Sequence, residues 1–103
     1  MSALERLVAA GFRPIAIAPY ENALCMRKGE CAVALAPVPN GWLKVLAPPS
    51  YLVDGKFGVR LKRGNGEVFV WKKTELSATP ERLQELETFR RELSKILELP
   101  VLQ

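Results

Sequence analysis

The chain has 103 residues, of which 49% are hydrophobic and 25% charged, and it contains two cysteines and no histidine. We expect a single globular domain, 1–103, because this length leaves room for one core and not for a second domain. Fifteen Lys and Arg residues against eleven Asp and Glu give a net charge of +4. The basic excess lies in residues 1–74, which hold eleven Lys and Arg against five Asp and Glu.

The sequence predicts neither a signal peptide nor a membrane span. Glu5 stands where a secretory signal requires a basic and then an apolar region. The longest uncharged apolar stretch, residues 31–39, has about half of the roughly 20 residues that a spanning helix needs. Cys25 and Cys31 lack Cys-x-x-Cys spacing and have no histidine beside them, so no redox motif or zinc site is predicted. We therefore expect a cytoplasmic protein without a metal or cofactor and without a membrane partner.

The first predicted element is a short helix over residues 3–10. Ser2 and Glu5 have the spacing of a capping box, in which each side chain accepts a hydrogen bond from the other residue's backbone N–H. Apolar residues follow at helical spacing through Val8, and Gly11 supplies the left-handed residue that ends the helix.

Consecutive antiparallel strands are predicted between Arg13 and Thr74. Short runs rich in Val, Ile, Leu and aromatic residues alternate there with Gly, Pro and Asn. We expect five to seven strands in mostly meander order. The predicted strands are Pro14–Ala18, Ala23–Met26, Cys31–Ala36, Trp42–Leu46, Phe57–Lys62 and Val68–Lys73, with Tyr51–Val53 as a further short candidate. The predicted links are Pro19–Asn22, Arg27–Glu30, Pro37–Gly41, Ala47–Ser50, Asp54–Gly55 and Gly64–Gly66.

The register of the last hairpin decides which face is apolar. A two-residue turn at Asn65 and Gly66 would mix charged and aromatic residues on one face. A three-residue loop, 64–66, with Gly66 in a bulge, collects the apolar residues, and we choose it. The predicted core face is then Phe57, Val59, Leu61, Phe69 and Trp71, and the opposite face carries Arg60, Lys62 and Lys72 with Val68 and Val70, while Arg63 sits opposite Glu67.

The hairpin between Cys25 and Cys31 allows two registers with different chemical consequences. A three-residue loop, 27–29, would place the two cysteines opposite each other, within reach of a disulfide. A two-residue loop pairs Met26 with Cys31 and gives a better apolar face, although Lys28 then needs a positive φ. We favour the second register, which predicts two buried free thiols on opposite faces.

A long amphipathic helix is predicted at the end of the chain. Thr79 caps it, Pro80 occupies its first position, and Glu81 complements the helix dipole. Apolar residues recur at three- and four-residue spacing up to Pro100, which predicts about 19 helical residues packed on the sheet. The same stripe suits a docking helix of a homodimer, and the two uses are compatible. The outer face is expected to be solvated; it carries Glu81, Arg82, Glu85, Arg91, Glu92, Lys95 and Glu98.

Residues 56–73 hold six basic residues and one acid, interleaved with Phe57, Phe69 and Trp71. This composition is typical of a sheet that contacts phosphates and stacks bases. The chosen register turns the aromatic side chains away from the basic ones, which favours a plain solvated face instead. The candidate site for an anionic partner, nucleic acid included, comprises Arg60, Lys62, Arg63, Lys72 and Lys73.

No catalytic motif stands out in the sequence. The most common general base is missing because there is no histidine, and no Cys or Ser has a recognisable activating partner. We therefore expect an α+β protein, with a small barrel closed by the C-terminal helix as the alternative fold. Its expected function is that of a non-catalytic binding or regulatory module for an unknown protein or anionic partner. A nucleic-acid-binding protein that uses the basic hairpin face is the competing function.

Overall fold

The structure is a computed structural model and describes residues 2–37 and 43–97. It confirms the predicted α+β fold, with a short N-terminal helix, antiparallel strands in meander order and a long C-terminal helix. The elements are α1 (Ala3–Ala9), β1 (Arg13–Ile15), β2 (Leu24–Lys28), β3 (Cys31–Pro37), β4 (Leu43–Val53), β5 (Lys56–Phe57), β6 (Val59–Arg63), β7 (Gly66–Trp71), β8 (Thr74–Ser77) and α2 (Pro80–Leu97). Neither helix in the described ranges is long and apolar enough to cross a membrane.

The strands form two open sheets. The first has five strands in the order β1-β2-β3-β4-β5, and the second has three in the order β6-β7-β8. The alternative of a closed barrel is therefore wrong for the described strands. Most of the predicted link Pro37–Gly41, residues 38–41, lies outside the described residues. Trp42, the first residue of the predicted strand Trp42–Leu46, also lies outside them.

Both ends of α1 follow the predicted capping chemistry. The Ser2 hydroxyl accepts from the Glu5 N–H, and the Glu5 carboxylate accepts from the Ser2 N–H, each at 3.2 Å. At the other end, the Phe12 N–H donates to the Leu7 carbonyl and the Gly11 N–H to the Val8 carbonyl, both at 3.0 Å. This pair of bonds is a Schellman motif, which Gly11 permits because it adopts a φ of 96°.

The β2–β3 hairpin confirms the predicted placement of the cysteines, but its predicted register is wrong. Lys28 pairs with Cys31 across a turn of Gly29 and Glu30, so Met26 faces Val33 and not Cys31. Gly29 takes the positive φ, 62°, that the predicted register demanded of Lys28. Because the register moves by two residues, every side chain keeps its face. Cys25 and Cys31 lie on opposite faces, both buried and unbonded.

One long strand, β4, replaces the two short strands and the Ala47–Ser50 link that the sequence predicts. Pro48 and Pro49 are inside it, where the pairing with β3 shifts register between Ala32 and Ala34. A bulge tolerates proline because the extra residue needs no ladder hydrogen bond. The prolines therefore bend the strand without ending it.

The β6–β7 hairpin has a different register from the predicted one, and here the error changes the faces. A two-residue turn of Gly64 and Asn65 pairs Arg63 with Gly66 and Arg60 with Phe69. The shift is one residue, which moves each β6 side chain to the opposite face relative to β7. Val59 and Leu61, predicted to be core, are 57% and 43% exposed. Phe69 is buried as predicted, but it shares its face with the basic side chains of Arg60 and Lys62.

The strand β8 was not predicted, because residues 74–77 show no apolar alternation long enough to read. A turn at Lys72 and Lys73, with Lys72 at a φ of 53°, returns the chain so that Trp71 pairs with Thr74. The start of α2 follows the prediction: the Thr79 hydroxyl accepts from the Arg82 N–H at 3.3 Å. Its predicted continuation towards Pro100 lies outside the described residues.

The main core lies between α2 and the two sheets. The helix buries Leu86, Phe89, Leu93 and Leu97 there, against residues of β2, β3, β4 and β7 that include Met26, Val33, Leu35, Tyr51, Val53 and Phe69. A smaller core on the other face of the five-stranded sheet contains Ile17, Cys25, Ala32, Ala34, Ala47 and Leu52. The helix thus packs on the sheet as predicted, but over a different set of strand residues.

Candidate functional site

The five basic residues of the predicted site do not converge. Arg60 and Lys62 point to the face of the three-stranded sheet that carries Phe69, while Arg63 points to the opposite face. Lys72 and Lys73 form the β7–β8 turn, at the far end of β7 from the Gly64 turn. Six residues of extended strand separate those two ends by about 17 Å. The sequence therefore grouped side chains that belong to two faces and a remote turn.

Two of these basic groups form ion pairs within the sheet. Arg60 makes a two-pronged ion pair with Glu67, with Nε to Oε2 at 2.6 Å and Nη2 to Oε1 at 2.8 Å. These hydrogen bonds raise the pKa of Arg60 and lower that of Glu67. Arg63 pairs with Glu75 on the outer face. Lys72 lies over the ring of Trp71, with Nζ 5.5 Å from the ring centre.

A cleft opens next to Arg60, where β4 and β6 separate. β5 and β6 run almost continuously, and the last backbone hydrogen bond of this segment to β4 is the Gly58 N–H donating to the Tyr51 carbonyl at 3.0 Å. Beyond Tyr51 and Ser50, β4 continues into Pro49 and Pro48. Proline has no N–H to donate, so two successive residues of β4 offer β6 no donor. The two sheets diverge from this point.

The cleft has an apolar floor between two walls that carry the Ser50 and Arg60 side chains. Tyr51 and Phe69 stack at its base, with ring centres 5.0 Å apart and planes inclined by 15°, and Leu86 of α2 closes it from below. Pro48, Pro49 and Ser50 form one wall, and Gly58 and Arg60 form the other. The enclosed volume is about 270 Å³, which suits a side chain or a small group of atoms better than a large ligand.

Two guanidinium groups line this cleft. Arg60 reaches it from β6, and Arg90 reaches it from α2 with a side chain only 19% exposed. Arg90 also lies 3.8 Å from the Glu87 carboxylate one helical turn earlier. The Ser50 hydroxyl donates to the Pro48 carbonyl at 3.0 Å. Guanidinium groups beside an apolar floor can bind an anionic group that carries apolar atoms, by ion pairing and by apolar contact.

A second groove, of about 490 Å³, lies between α2 and the β2–β3 turn. Its charged groups hold the fold together. Lys28 Nζ donates to the Glu92 carboxylate at 2.6 Å and to the Ala10 carbonyl at 2.8 Å. Glu85 accepts from the Glu30 N–H at 2.9 Å and from the Tyr51 hydroxyl at 3.3 Å. These contacts join α1, the hairpin and α2.

Part of the predicted solvated face of α2 is therefore engaged with the body. Glu85 and Glu92 make the contacts just described, and the Arg82 guanidinium donates to the Ser77 carbonyl at 2.7 Å. Burial, together with the nearby Glu85 carboxylate, raises the pKa of Tyr51. Helical spacing could not reveal these contacts, because it does not show which turn of the sheet lies beside the helix.

The two thiols are inert by their surroundings. Burial raises the pKa of Cys31 to about 12 and also raises that of Cys25, so both remain protonated at neutral pH. Within residues 2–37 and 43–97, no group of three or more His, Cys, Asp or Glu side chains could hold a metal ion.

Sequence reasoning identified Arg60 but missed Ser50, Tyr51 and Arg90 as its neighbours in the cleft. The Pro48-Pro49 pair was the available signal, since two prolines inside an extended segment mark an edge that cannot pair. Arg90 gave no signal, because it lies within an ordinary helical pattern. No protein-family model, curated protein or solved structure matches this chain in the comparisons made.

Proposed function

We propose that the protein is a non-catalytic binding module whose ligand places an anionic group in the cleft between β4 and β6. The observation that carries this proposal is the pair of guanidinium groups, Arg60 and Arg90, that line a cleft with a floor of stacked Tyr51 and Phe69. Positive charge beside an apolar floor favours a carboxylate or phosphate attached to apolar atoms.

The chemistry of the cleft supports binding over catalysis. Its hydroxyl group, on Ser50, donates to a backbone carbonyl, and the chain has no histidine to activate it. The nearest titratable phenol, that of Tyr51, has a raised pKa and donates to Glu85. Arginine binds anions without exchanging protons at neutral pH, which suits a recognition site.

The same contacts make a nucleic-acid ligand the weaker alternative. The five predicted basic groups lie on two faces of the sheet and in a turn at the far end of β7, and so they do not follow one path. Phe69, which base stacking would need, is buried beneath Tyr51. A phosphate backbone requires several positive groups along one path.

Two further expectations remain part of the proposal. A cytoplasmic location is supported by two buried cysteines that are not bonded to each other. A homodimer formed through the apolar stripe of α2 has less support, because Leu86, Phe89, Leu93 and Leu97 of that stripe are buried against this chain's own sheets.

An NMR titration of the full chain with benzoate, an aromatic carboxylate, tests the proposal. We expect saturable shifts at the amides of Ser50, Tyr51 and Gly58, with a Kd of roughly millimolar, as befits so small a ligand. Arg60→Gln should weaken binding about fivefold or more, because it removes the charge from one wall. Lys73→Gln removes the same charge from the remote turn and serves as the matched control.

Benzoate shifts outside the cleft, or equal affinity of the Arg60→Gln and Lys73→Gln variants, would contradict the proposal. A parallel titration with an oligothymidylate decides the alternative. Binding that survives physiological salt and that Lys73→Gln weakens would make the protein a nucleic-acid binder instead.

A further inference from the structure

The edge strand β6 borders the cleft and offers an unused row of backbone groups. Within the described part of the chain it pairs only with β7, and all five of its residues are exposed. On the other side of the cleft, β4 is paired with β5 only at Leu52 and Val53. The two sheets thus stand apart at a place where one more strand would join them.

We infer that an extended acidic segment of a partner protein adds to β6 as an extra strand and places a carboxylate in the cleft. This inference rests on the proposed function and specifies its ligand. Strand addition to an exposed edge obtains affinity from backbone hydrogen bonds and specificity from alternate side chains.

The side chains of β6 specify the pattern of the incoming segment. Arg60 and Lys62 lie on the face towards α2 and the cleft, whereas Val59 and Leu61 lie on the outer face. A neighbouring strand presents its own side chains alternately to these two faces. Acidic residues on one face and apolar residues on the other therefore match β6 from Val59 to Lys62.

Arg60 can serve both its own sheet and the partner. Its bonds to Glu67 use Nε and Nη2. A guanidinium group carries five N–H donors, so donors on Nη1 remain for a second carboxylate. The pair with Glu67 also holds the Arg60 side chain in one orientation, which lowers the entropy cost of binding.

A second copy of this chain fits the same edge poorly. In an antiparallel pair of β6 strands centred on Leu61, Arg60 would lie opposite the partner's Lys62, and Lys62 opposite the partner's Arg60. Like charges directly opposite each other destabilise a strand pair. The edge therefore repels its own copy and attracts a strand of opposite charge.

The test is an NMR titration of the full chain with a capped peptide of alternating Glu and Val. We expect shifts at the β6 amides and at Ser50 and Tyr51. A peptide of the same composition with Glu and Val in separate blocks, and an alternating Lys-Val peptide, should each bind at least about tenfold more weakly. Lys62→Glu should weaken binding of the alternating acidic peptide by a similar factor, while Lys73→Glu, the same change in the β7–β8 turn, should alter it less than about twofold.

Backbone methylation distinguishes strand addition from simple charge attraction. In one version of the acidic peptide, the backbone nitrogens of the Glu residues are methylated. In a second version, those of the Val residues are methylated. Only one set faces β6 in an added strand, so methylation of that set should abolish binding and methylation of the other should not. If both versions bind as well as the parent peptide, the ligand does not add as a strand.

The remaining outcomes separate this inference from the proposed function. If benzoate binds in the cleft and the acidic peptide does not bind, the strand inference is wrong and the cleft site stands. If neither binds, both fail. If the free protein forms a concentration-dependent dimer that protects the β6 amides from hydrogen exchange, a second copy takes the place of the partner strand, which also overturns the inference.

Discussion

The substitution Gly58→Ala tests the junction at which the two sheets separate. Gly58 has a backbone conformation open to any residue, so alanine is excluded only by its surroundings. A Cβ atom there would lie 2.8 Å from the Tyr51 carbonyl oxygen and 2.8 Å from the Val53 Cγ2 methyl, with Phe69 Cβ at 3.3 Å. The first two distances are shorter than atoms tolerate, and the Tyr51 carbonyl is held by its bond to the Gly58 N–H.

The expected cost follows from overpacking. Forcing one methyl group into a packed site costs about 1–3 kcal/mol. Replacing glycine also lowers the entropy of the unfolded chain, which stabilises the folded state by about 0.4–1 kcal/mol. The net loss should therefore be about 1–2 kcal/mol. For a domain of this length, that lowers Tm by roughly 5–15 °C.

Gly66→Ala is the matched control. A Cβ atom at Gly66 meets nothing within 4 Å, and its backbone also lies outside the left-handed region. Gly66→Ala should therefore stabilise the fold by about 0.4–1 kcal/mol, because it lowers the entropy of the unfolded chain and meets no steric obstacle. Urea denaturation at equilibrium should place the two variants about 2 kcal/mol apart, with unchanged m values. A difference below about 0.5 kcal/mol would show that the approach of β5–β6 to β4 at Gly58 is not as tight as described.

Two further predictions concern the core. Leu93→Ala should destabilise the fold by about 2–5 kcal/mol because Leu93 is fully buried, whereas Leu61→Ala should cost less than about 1 kcal/mol because Leu61 is exposed. Equal losses of stability in denaturant melts would mean that the predicted face of Val59 and Leu61 belongs to the core. Burial raises the pKa of Cys31 from 9.0 to about 12, so the protonated thiol is favoured in the folded state. Its contribution to stability is complete below pH 9.0 and is lost as the pH rises towards 12. Between pH 9.0 and 12, the free energy of unfolding should fall more steeply with pH for the native chain than for Cys31→Ala, by about 1 kcal/mol per pH unit. Equal slopes for the two proteins would contradict the burial of the thiol.

Elements whose signals are local could be predicted from the sequence. The capping box of Ser2 and Glu5, the Gly11 stop and the Thr79-Pro80 start each depend on residues within one helical turn, and all three have the predicted geometry or position. The same holds for the strand pattern and its meander order, since short links leave few alternatives.

Registers could not be predicted, and the two errors differ in their consequences. In the β2–β3 hairpin the register moved by two residues, so the thiols of Cys25 and Cys31 kept their predicted faces. In the β6–β7 hairpin it moved by one, and Val59 and Leu61 changed from core to surface. The choice rested on collecting apolar side chains on one face. That criterion fails here because the long side chains of Arg60 and Lys62 lie on the side of the core, with their charged ends at its rim.

The correction of the β6–β7 register also changes the candidate site. With Arg60 on the outer face, as predicted, it would have belonged to a diffuse basic surface with Lys72. On the inner face it meets Arg90, a residue of α2, over the stacked rings of Tyr51 and Phe69. The site therefore depends on four separate stretches of chain, in β4, β6, β7 and α2, and no single stretch contains its pattern.

The prolines of β4 connect this site to the architecture. Pro48 and Pro49 offer β6 no N–H, and the hydrogen bond from the Gly58 N–H to the Tyr51 carbonyl marks where β4 and the β5–β6 segment part. A Cβ atom at residue 58 would lie 2.8 Å from that carbonyl oxygen, so glycine allows the close approach there. The edge left on β6 is basic, which opposes pairing with a second copy and favours an acidic strand. Two prolines thus leave this stretch of β4 without N–H donors for β6, and the charges of Arg60 and Lys62 favour an acidic strand at the open edge.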